Sequence, residues 1–352
     1  MPVFPQSIAS ESTKPERSSS VVVGGTGYLG RYIVDSLLRA GHRVTVVSRS
    51  VKRAKAMLGG KVRVVEGDID SMSARDWETV FKNQDNLAFA AGIDERIPPV
   101  GDPATFYQRE NVDKVEPILK AAGECGIKRV VLLNSIFSTL DRLRPEIGLA
   151  RSHSYIASRV AQRDMALSLA KGRFIMTVLE IPWVFGDARG GDSQWGPLIQ
   201  YVRTTPRIFA PRGGTVVISA RNVGEAALGA LTLPKRSSAV PVGDIWMSWD
   251  ELLSQLAVCC EREPLKVQRV PDNVLVQFNE IGGFWQKLFW LKSGLDYGKI
   301  HQFLLDDQPI NLRASQRKLG YRPDRIARSL CESAADVPES RAIKAARQLL
   351  RV

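Results

Sequence analysis

The sequence predicts an α/β fold: a doubly wound parallel sheet with helices on both faces and a second, smaller region toward the C-terminus. Three observations carry that expectation. A β-branched run, Val21–Val23, breaks into the spaced glycines Gly24, Gly27 and Gly30 and leads at once into an amphipathic helical pattern. Short apolar runs then recur as far as Leu179. Helical patterns separate them, and parallel strands need such crossovers.

The first strand ends in the glycine turn. Gly24 permits the tight turn, Gly27 a close approach of a ligand, and Gly30 the packing of helix on strand. Thr26, Tyr28 and Leu29 complete the segment. The helix sets Tyr32, Ile33, Leu37 and Leu38 against Arg31, Asp35 and Arg39. Its N-terminus leaves N–H groups unpaired and carries partial positive charge, so it suits a pyrophosphate. A second strand, Arg43–Val47, enters through Gly41. Lys61–Val65 is a third, followed by Glu66-Gly67-Asp68-Ile69, and Leu87–Ala91 is a fourth, followed by Gly92. A helix runs from about Tyr107 to Ala122, a fifth strand over Arg129–Leu133, a long helix from Tyr155 to about Ala170, and a sixth strand over Phe174–Leu179. Ligands in such folds lie beyond the carboxyl ends of the strands. The glycine turn, Asp68, Ala90–Gly92, Ser135 and Pro182 all fall there.

Beyond Pro182 the pattern changes. Gly, Trp and Pro become frequent through Pro211, Thr215–Leu233 reads as one more core strand–helix unit, and a mixed section runs to Tyr321. The last stretch, Arg325–Val352, is helical, basic and expected to be peripheral.

The 352 residues, 44% hydrophobic and 24% charged, describe an ordinary globular protein. No apolar segment is long enough to span a bilayer. Residues 1–19 are Ser-rich, carry acids and lack the apolar core of a secretory signal, so they read as a disordered tail. Net charge is +12, but the basic residues are dispersed and form no nucleic-acid module, so no nucleic-acid partner is expected. Cys125, Cys259, Cys260 and Cys331 have no metal-ligand spacing and read as buried free thiols in a reducing compartment, which points to the cytoplasm. His42, His153 and His301 are scattered and suggest no metal site.

Taken together, these segments resemble the extended short-chain dehydrogenase/reductase family, of the NAD(P)-dependent epimerase, dehydratase and 3β-hydroxysteroid dehydrogenase type. The opening Val22–Gly30, Gly67-Asp68, Asn111-Val112 with Leu119–Ala122 and Gly126–Val131, Leu179–Gly186, and the closing Ile310–Pro323 carry the resemblance. It implies a Rossmann domain over residues 20–182, completed by about 215–235. An interleaved substrate-binding region would comprise 183–214 and 236–323, with 324–352 as a peripheral helical C-terminus. It also implies that Gly24, Thr26, Gly27, Tyr28, Leu29, Gly30, Asp68, Ile69, Ala90, Ala91, Gly92, Asn111, Pro182 and Val184 bind the dinucleotide.

Members of that family use a Ser or Thr, a Tyr, and a Lys one helical turn after the Tyr. Positions i and i+4 share a helix face. Tyr exchanges a proton with the substrate oxygen, and its ordinary pKa near ~10 requires a neighbouring cation. The Lys supplies that cation and holds the nicotinamide ribose, and the Ser orients the carbonyl. The matching residues here are Tyr155 and Ser135, with Ser138 as a substitute for the latter. The cationic position holds Arg159 instead of Lys. Arg keeps the charge but cannot pass a proton. Three readings stay open: Arg159 substitutes for Lys, the protein performs related chemistry that asks less of this position, or it binds the cofactor without turnover.

An NAD site expects an acid at the end of the second strand. Here Ser48 and Arg49 stand there, with Lys52 and Arg53 behind them. Arg suits a phosphate, so NADP(H) is expected over NAD(H). Phe137, Trp183 and Trp195 follow strand ends, as does Phe185, and are expected to form an apolar pocket. The apolar segment Ile281–Lys292 reads either as an interfacial helix making weak membrane-surface contact through Phe284–Leu291 or as a lid of the substrate region. Both readings imply a lipophilic substrate. The expected function is NADP(H)-dependent reduction of a ketone, or oxidation of a secondary alcohol, on a steroid-, polyketide- or terpenoid-like molecule. The alternatives are a cofactor-retaining isomerase, epimerase or dehydratase, and a non-catalytic NADP-sensing protein. The sequence leaves the oligomeric state open, and a homodimer is compatible with it.

Overall fold

The computed structural model describes residues 18–191, 193–262 and 267–338. Residues 1–17 of the expected tail and 339–352 of the expected C-terminal helix lie outside the described residues. The first strand begins at Ser19, inside the range expected for the tail.

Strands and helices alternate through the first half. β1 (Ser19–Val23) feeds α1 (Tyr28–Arg39), and β2 (Arg43–Ser48) feeds α2 (Val51–Leu58). Next come β3 (Arg63–Glu66), α3 (Ala74–Phe81), β4 (Asn86–Phe89) and α4 (Pro103–Gln108). A π-helical turn, Arg109–Asp113, joins α4 to α5 (Val115–Glu124), and β5 (Arg129–Ser135) follows. The helices α6 (Phe137–Leu143), α7 (Leu149–Ser152) and α8 (Ser154–Leu169) precede β6 (Ile175–Ile181).

The second half is mixed. It runs through β7 (Trp183–Phe185), α9 (Gly196–Thr204), β8 (Phe209–Ala210), β9 (Gly214–Ser219), α10 (Ala220–Thr232) and β10 (Ser238–Pro241). It continues with β11 (Ile245–Ser248), α11 (Trp249–Cys259), β12 (Gln268–Arg269) and α12 (Asp272–Leu288). α13 (His301–Leu304), α14 (Leu312–Leu319) and α15 (Ile326–Ala335) close the described chain.

The main sheet is parallel, in the order β10-β6-β5-β4-β1-β2-β3. Strand order reverses about β1, which pairs with β2 on one side and β4 on the other. A ligand crevice opens at such a reversal. Alternate residues of β1 serve opposite faces. Val22 packs with Ile33 and Leu37 of α1 and with Val223, Ala226 and Ala230 of α10. Val21 and Val23 pack with Trp77 and Phe81 of α3 and Ile118 and Leu119 of α5. Burial on both sides explains the unbroken apolar runs.

Three expectations are corrected. First, the strand near Thr215 does not join the main sheet. β9 pairs with β7 and β11 in a separate three-stranded sheet. The seventh strand of the main sheet is β10, in the stretch assigned to the substrate region, while α10 does cover the main sheet. Second, the described part of the C-terminal stretch is not peripheral. Ile326, Leu330, Ala334 and Val337 join a core with Leu252, Leu256 and Phe185. Their spacing places one apolar stripe on α15, which the basic composition masked. Third, Cys259 and Cys331 form a disulfide that ties α11 to α15, so the free-thiol reading fails for both.

Candidate active site

The site is built at the carboxyl ends of β1, β4, β5 and β6. A cavity of about 360 Å³ is lined by Gly27–Leu29, Ala90–Arg96, Leu133–Phe137, Tyr155, Arg159, Ile181–Val184, Gln194 and Trp195. The expected catalytic trio therefore faces one space, together with Gly27, Tyr28, Leu29, Ala90, Ala91, Gly92, Pro182 and Val184 and the aromatic residues Phe137, Trp183 and Trp195.

Glycine is required in the turn. Gly24 has φ +81°, and a Cβ there would lie 2.7 Å from the Ala91 nitrogen. A Cβ on Gly30 would strike the Gly24 carbonyl, 2.8 Å from its carbon. The Gly27 N–H donates to the Gly24 carbonyl at 2.9 Å and closes the turn. Helix α1 starts with no side-chain cap and no acid in its first turn. Its positive end is left for an anion.

Tyr155 opens α8 and is 4% exposed. Its ring meets Tyr107 edge-on at 5.6 Å and Phe137 at 6.4 Å. Its N–H donates to the Gly294 carbonyl at 2.9 Å. Burial pushes the phenol pKa up; the Arg159 charge and a hydrogen bond with the Ser135 side chain oppose that, while Glu95 and Asp94 add to it.

One turn on, the Arg159 guanidinium carbon stands 6.0 Å from the Tyr155 ring centroid. Nη2 donates to the Leu133 carbonyl at 2.9 Å and Nη1 to Asn111 Oδ1 at 3.4 Å. Nε is buried without a protein partner. Cavity, turn and this orphaned donor fit a dinucleotide: the turn and the α1 terminus would hold its phosphates, and Arg159 a ribose hydroxyl.

Asn134 gives the two serines different surroundings. Its Oδ1 accepts from the Ser138 hydroxyl and the Ser135 N–H, both at 2.7 Å, while Nδ2 donates to the Arg159 carbonyl and Gln162 Oε1, both at 2.9 Å. Ser138 is fully buried and committed to Asn134. Ser135 keeps its hydroxyl toward Tyr155.

Asn111 is fully buried and does not line the cavity. Its Oδ1 accepts from Ile93 N–H at 3.3 Å and from Arg159, and its Nδ2 donates to Ser158 Oγ at 3.2 Å. It sits in the π-helical turn, a local widening that redirects backbone groups. Asn111 thus helps to position Arg159 at the cavity.

Ser48, Arg49, Arg53, Asp68 and Ile69 lie outside the cavity, as do Gly24, Thr26 and Gly30. Arg49 and Arg53 are exposed and form no ion pair among the described residues. Asp68 caps its own turn by accepting from the Asp70 N–H at 3.2 Å, and Ile69 packs on the core.

Two features were not singled out in the sequence. The loop after β4 brings Asp94, Glu95 and Arg96 to the cavity. Arg96 pairs with Asp94, donates to Gln194 Oε1 at 2.8 Å and lies 5.7 Å over Trp195. Burial pushes the Glu95 carboxyl up, helped by Asp94 and opposed by Arg96 and Arg159. The second feature is His153, which caps α8 and is buried. Its Nδ1 accepts the Asp296 N–H at 2.9 Å, and burial lowers its pKa to about 4.

The family profile of the NAD dependent epimerase/dehydratase family matches residues 20–203. The chain belongs to that family. Over 263 residues it is 25% identical to a 4-hydroxy-2-methyl-3-oxo-4-farnesyl-3,4-dihydroquinoline-1-oxide ketoreductase of Stigmatella aurantiaca, covering 70% of this chain and 74% of that one. It is 23% identical to a ceramide reductase of Caulobacter vibrioides over 83% of this chain and 86% of that one. Against a dTDP-6-deoxy-L-talose 4-dehydrogenase and two UDP-glucose 4-epimerases, the chain spans only 36–38% of their length. The solved UDP-glucose 4-epimerase from Bifidobacterium longum, in complex with NAD+ and UDP, shares the fold at TM-score 0.62 and 13% identity, covering 91% of this chain and 97% of that one. Within this member of the epimerase/dehydratase family, Ser135, Tyr155 and Arg159 occupy one cavity with the glycine turn.

Proposed function

We propose that this family member is an NADP(H)-dependent reductase of a ketone, or dehydrogenase of the matching secondary alcohol, on an apolar small molecule. The observation that carries the reading is the shared cavity: Tyr155 and Ser135 open beside the glycine turn under an aromatic wall of Phe137, Trp183 and Trp195. When bound, the dinucleotide supplies or accepts the hydride. Ser135 fixes the substrate oxygen against Tyr155, whose hydroxyl gives that oxygen its proton in reduction and takes it back in oxidation. Arg159 holds positive charge beside the phenol and lowers the cost of the phenolate. Trp183 and Trp195 stack at 4.6 Å, and Trp195 on Phe185 at 4.7 Å, forming a rigid apolar wall. Exposed Arg49 and Arg53, which form no ion pair among the described residues, support a 2′-phosphate and hence NADP(H).

Two relatives matched over most of their length, one named as a ketoreductase of a farnesylated quinoline oxide and one as a ceramide reductase, favour this reading over a sugar-nucleotide substrate. The test is consumption of NADPH by the purified protein with a panel of apolar ketones. Tyr155→Phe is expected to lower turnover by about a hundredfold or more while leaving dinucleotide binding and melting temperature in place. Full activity in that variant overturns the reading. A second reading, a cofactor-retaining epimerase or dehydratase, draws on Glu95, a carboxyl with a raised pKa facing the same cavity. Conversion of substrate with no net change in NADPH would favour it.

A further inference from the structure

Helix α12 turns much of its apolar surface outward. Leu275 and Val276 are half-buried, but toward the end of the helix small and polar residues face the protein. Gly283 is buried, and a Cβ there would lie 2.7 Å from the Gly298 backbone. Gln286 donates to the Leu295 carbonyl at 3.0 Å and accepts the Tyr297 N–H at 2.8 Å. The apolar residues Val274, Phe278, Ile281, Trp285 and Leu288 follow one another at alternating four- and three-residue steps, and all are exposed. None lines the cavity beside Tyr155, so α12 is not a lid over it.

The apolar surface does not stop at this stripe. Phe284 is 61% exposed on its flank, and beyond the helix end Phe289, Trp290 and Leu291 are 62%, 86% and 55% exposed. Trp285 stacks on Phe289 at 5.3 Å, and Phe284 meets Trp285 at 5.8 Å. Lys287 and Lys292 are exposed among them. Of the acids nearby, Asp102 caps α4, Asp296 accepts the Gly298 N–H at 2.9 Å, and Glu280 is exposed one turn before Phe284, outside the tip.

We propose that this tip, from Phe284 to Lys292, docks the protein on an anionic bilayer surface. A helical partner would be matched by the stripe alone. Here aromatic residues continue around the end of the helix with lysines between them, which suits entry into the headgroup layer with cations at phosphate level. The chain's net charge of +12 adds attraction of the same sign. No helix among the described residues is long and apolar enough to cross a membrane, so the contact is interfacial.

The tip also adjoins the chemistry. A cavity of about 720 Å³ lies between Trp290, Leu291 and Lys292 on one side and Asp102 and Ser152 on the other. The same strand of chain continues to Gly294, whose carbonyl accepts the Tyr155 N–H. Docking would hold this strap, and with it the pocket, against the layer in which a lipophilic substrate dissolves.

The test is co-sedimentation of the full chain with phosphatidylcholine vesicles and with phosphatidylcholine–phosphatidylglycerol vesicles, alongside light scattering of the protein alone. Docking predicts partitioning onto the anionic vesicles with a blue shift of tryptophan emission. Phe289→Ser with Trp290→Ser should weaken partitioning by about tenfold or more, and Lys287→Glu with Lys292→Glu should abolish the preference for anionic lipid. Unchanged melting temperature and an unchanged circular dichroism spectrum would show that both variants fold. The readout is independent of the redox reading. Absence of partitioning on either vesicle overturns the proposal. A dimer that dissociates in the Phe289→Ser, Trp290→Ser variant also overturns it, because a second copy then covers the face.

Discussion

Replacing Arg159 separates what its charge does from what its shape does. The guanidinium carbon lies 6.0 Å from the Tyr155 ring centroid. A unit charge at that distance, with an effective dielectric of ~20, favours the phenolate by about 3 kcal/mol. Removing it in Arg159→Met leaves a weaker acid. With half that change expressed in the transition state, about 1.5 kcal/mol is lost, or roughly tenfold in kcat/KM. Arg159→Lys keeps the charge but gives up the fork that reaches both Leu133 and Asn111. One acceptor then loses its donor, at about 1–3 kcal/mol of stability. The expected pattern is a loss of roughly tenfold in Arg159→Met, near-complete recovery in Arg159→Lys, and a lower melting temperature in both. The assays are NADPH-dependent ketone reduction, dinucleotide binding and thermal melting on the same preparations. If both variants fold and bind dinucleotide yet Arg159→Lys is as slow as Arg159→Met, the electrostatic account is wrong and the planar fork itself is required.

Two further outcomes test the cofactor side and the strap. Arg49→Ala should weaken NADPH roughly ten- to a hundredfold, the loss of a charge-assisted phosphate contact, with little effect on NADH; equal losses for both dinucleotides would remove the basis for NADP(H). His153 has its folded pKa lowered from 6.5 to about 4, by burial first, with Lys299 adding and Asp296 opposing. As pH falls below the unfolded value, the unfolded chain takes the proton first, so stability should drop between pH ~6.5 and ~4 by up to about 3 kcal/mol and stay flat above that window. Melting curves of His153→Asn should lack this slope; the same slope in both proteins would assign it elsewhere.

Much of the fold was readable because parallel strands buried on both faces must be apolar throughout. β1, β2, β5 and β6 announce themselves that way. β10 does not: Ser238-Ala-Val-Pro is short, half-buried and ends in proline, so nothing in it outweighs its polar flanks. The α15 stripe of Ile326, Leu330 and Ala334 was present in the sequence, but arginines at 325 and 328 drew the reading toward solvent. The disulfide was beyond reach, since its cysteines are 72 residues apart and only the packing of α15 on α11 brings them together. In the site, spacing identified Tyr155 and Arg159. It could not separate Ser135 from Ser138, because that choice depends on where Asn134 points. Asn111 was found by motif, but its contact with Arg159 was not, because the π-helical turn that aims it leaves no mark on residue type.

Glu95 carries the argument furthest beyond the motif. Arg159 holds its protons too tightly to return one to Tyr155 after each reduction. Within the cavity the acids facing Tyr155 are Glu95 and Asp94, and Asp94 is tied to Arg96. Burial raises the Glu95 pKa, the direction in which a proton donor must move from the ordinary carboxylate range. Its charge also raises Tyr155, so the two roles predict opposite results. If Glu95 acts only through its field, Glu95→Gln lowers the phenol and turnover rises. If it resupplies the proton, Glu95→Gln should lower kcat by roughly tenfold or more, with KM little changed and partial recovery in buffers of small acids. A rise in kcat, or a fall that no buffer acid relieves, would leave Tyr155 drawing its proton from solvent through the open side of the cavity.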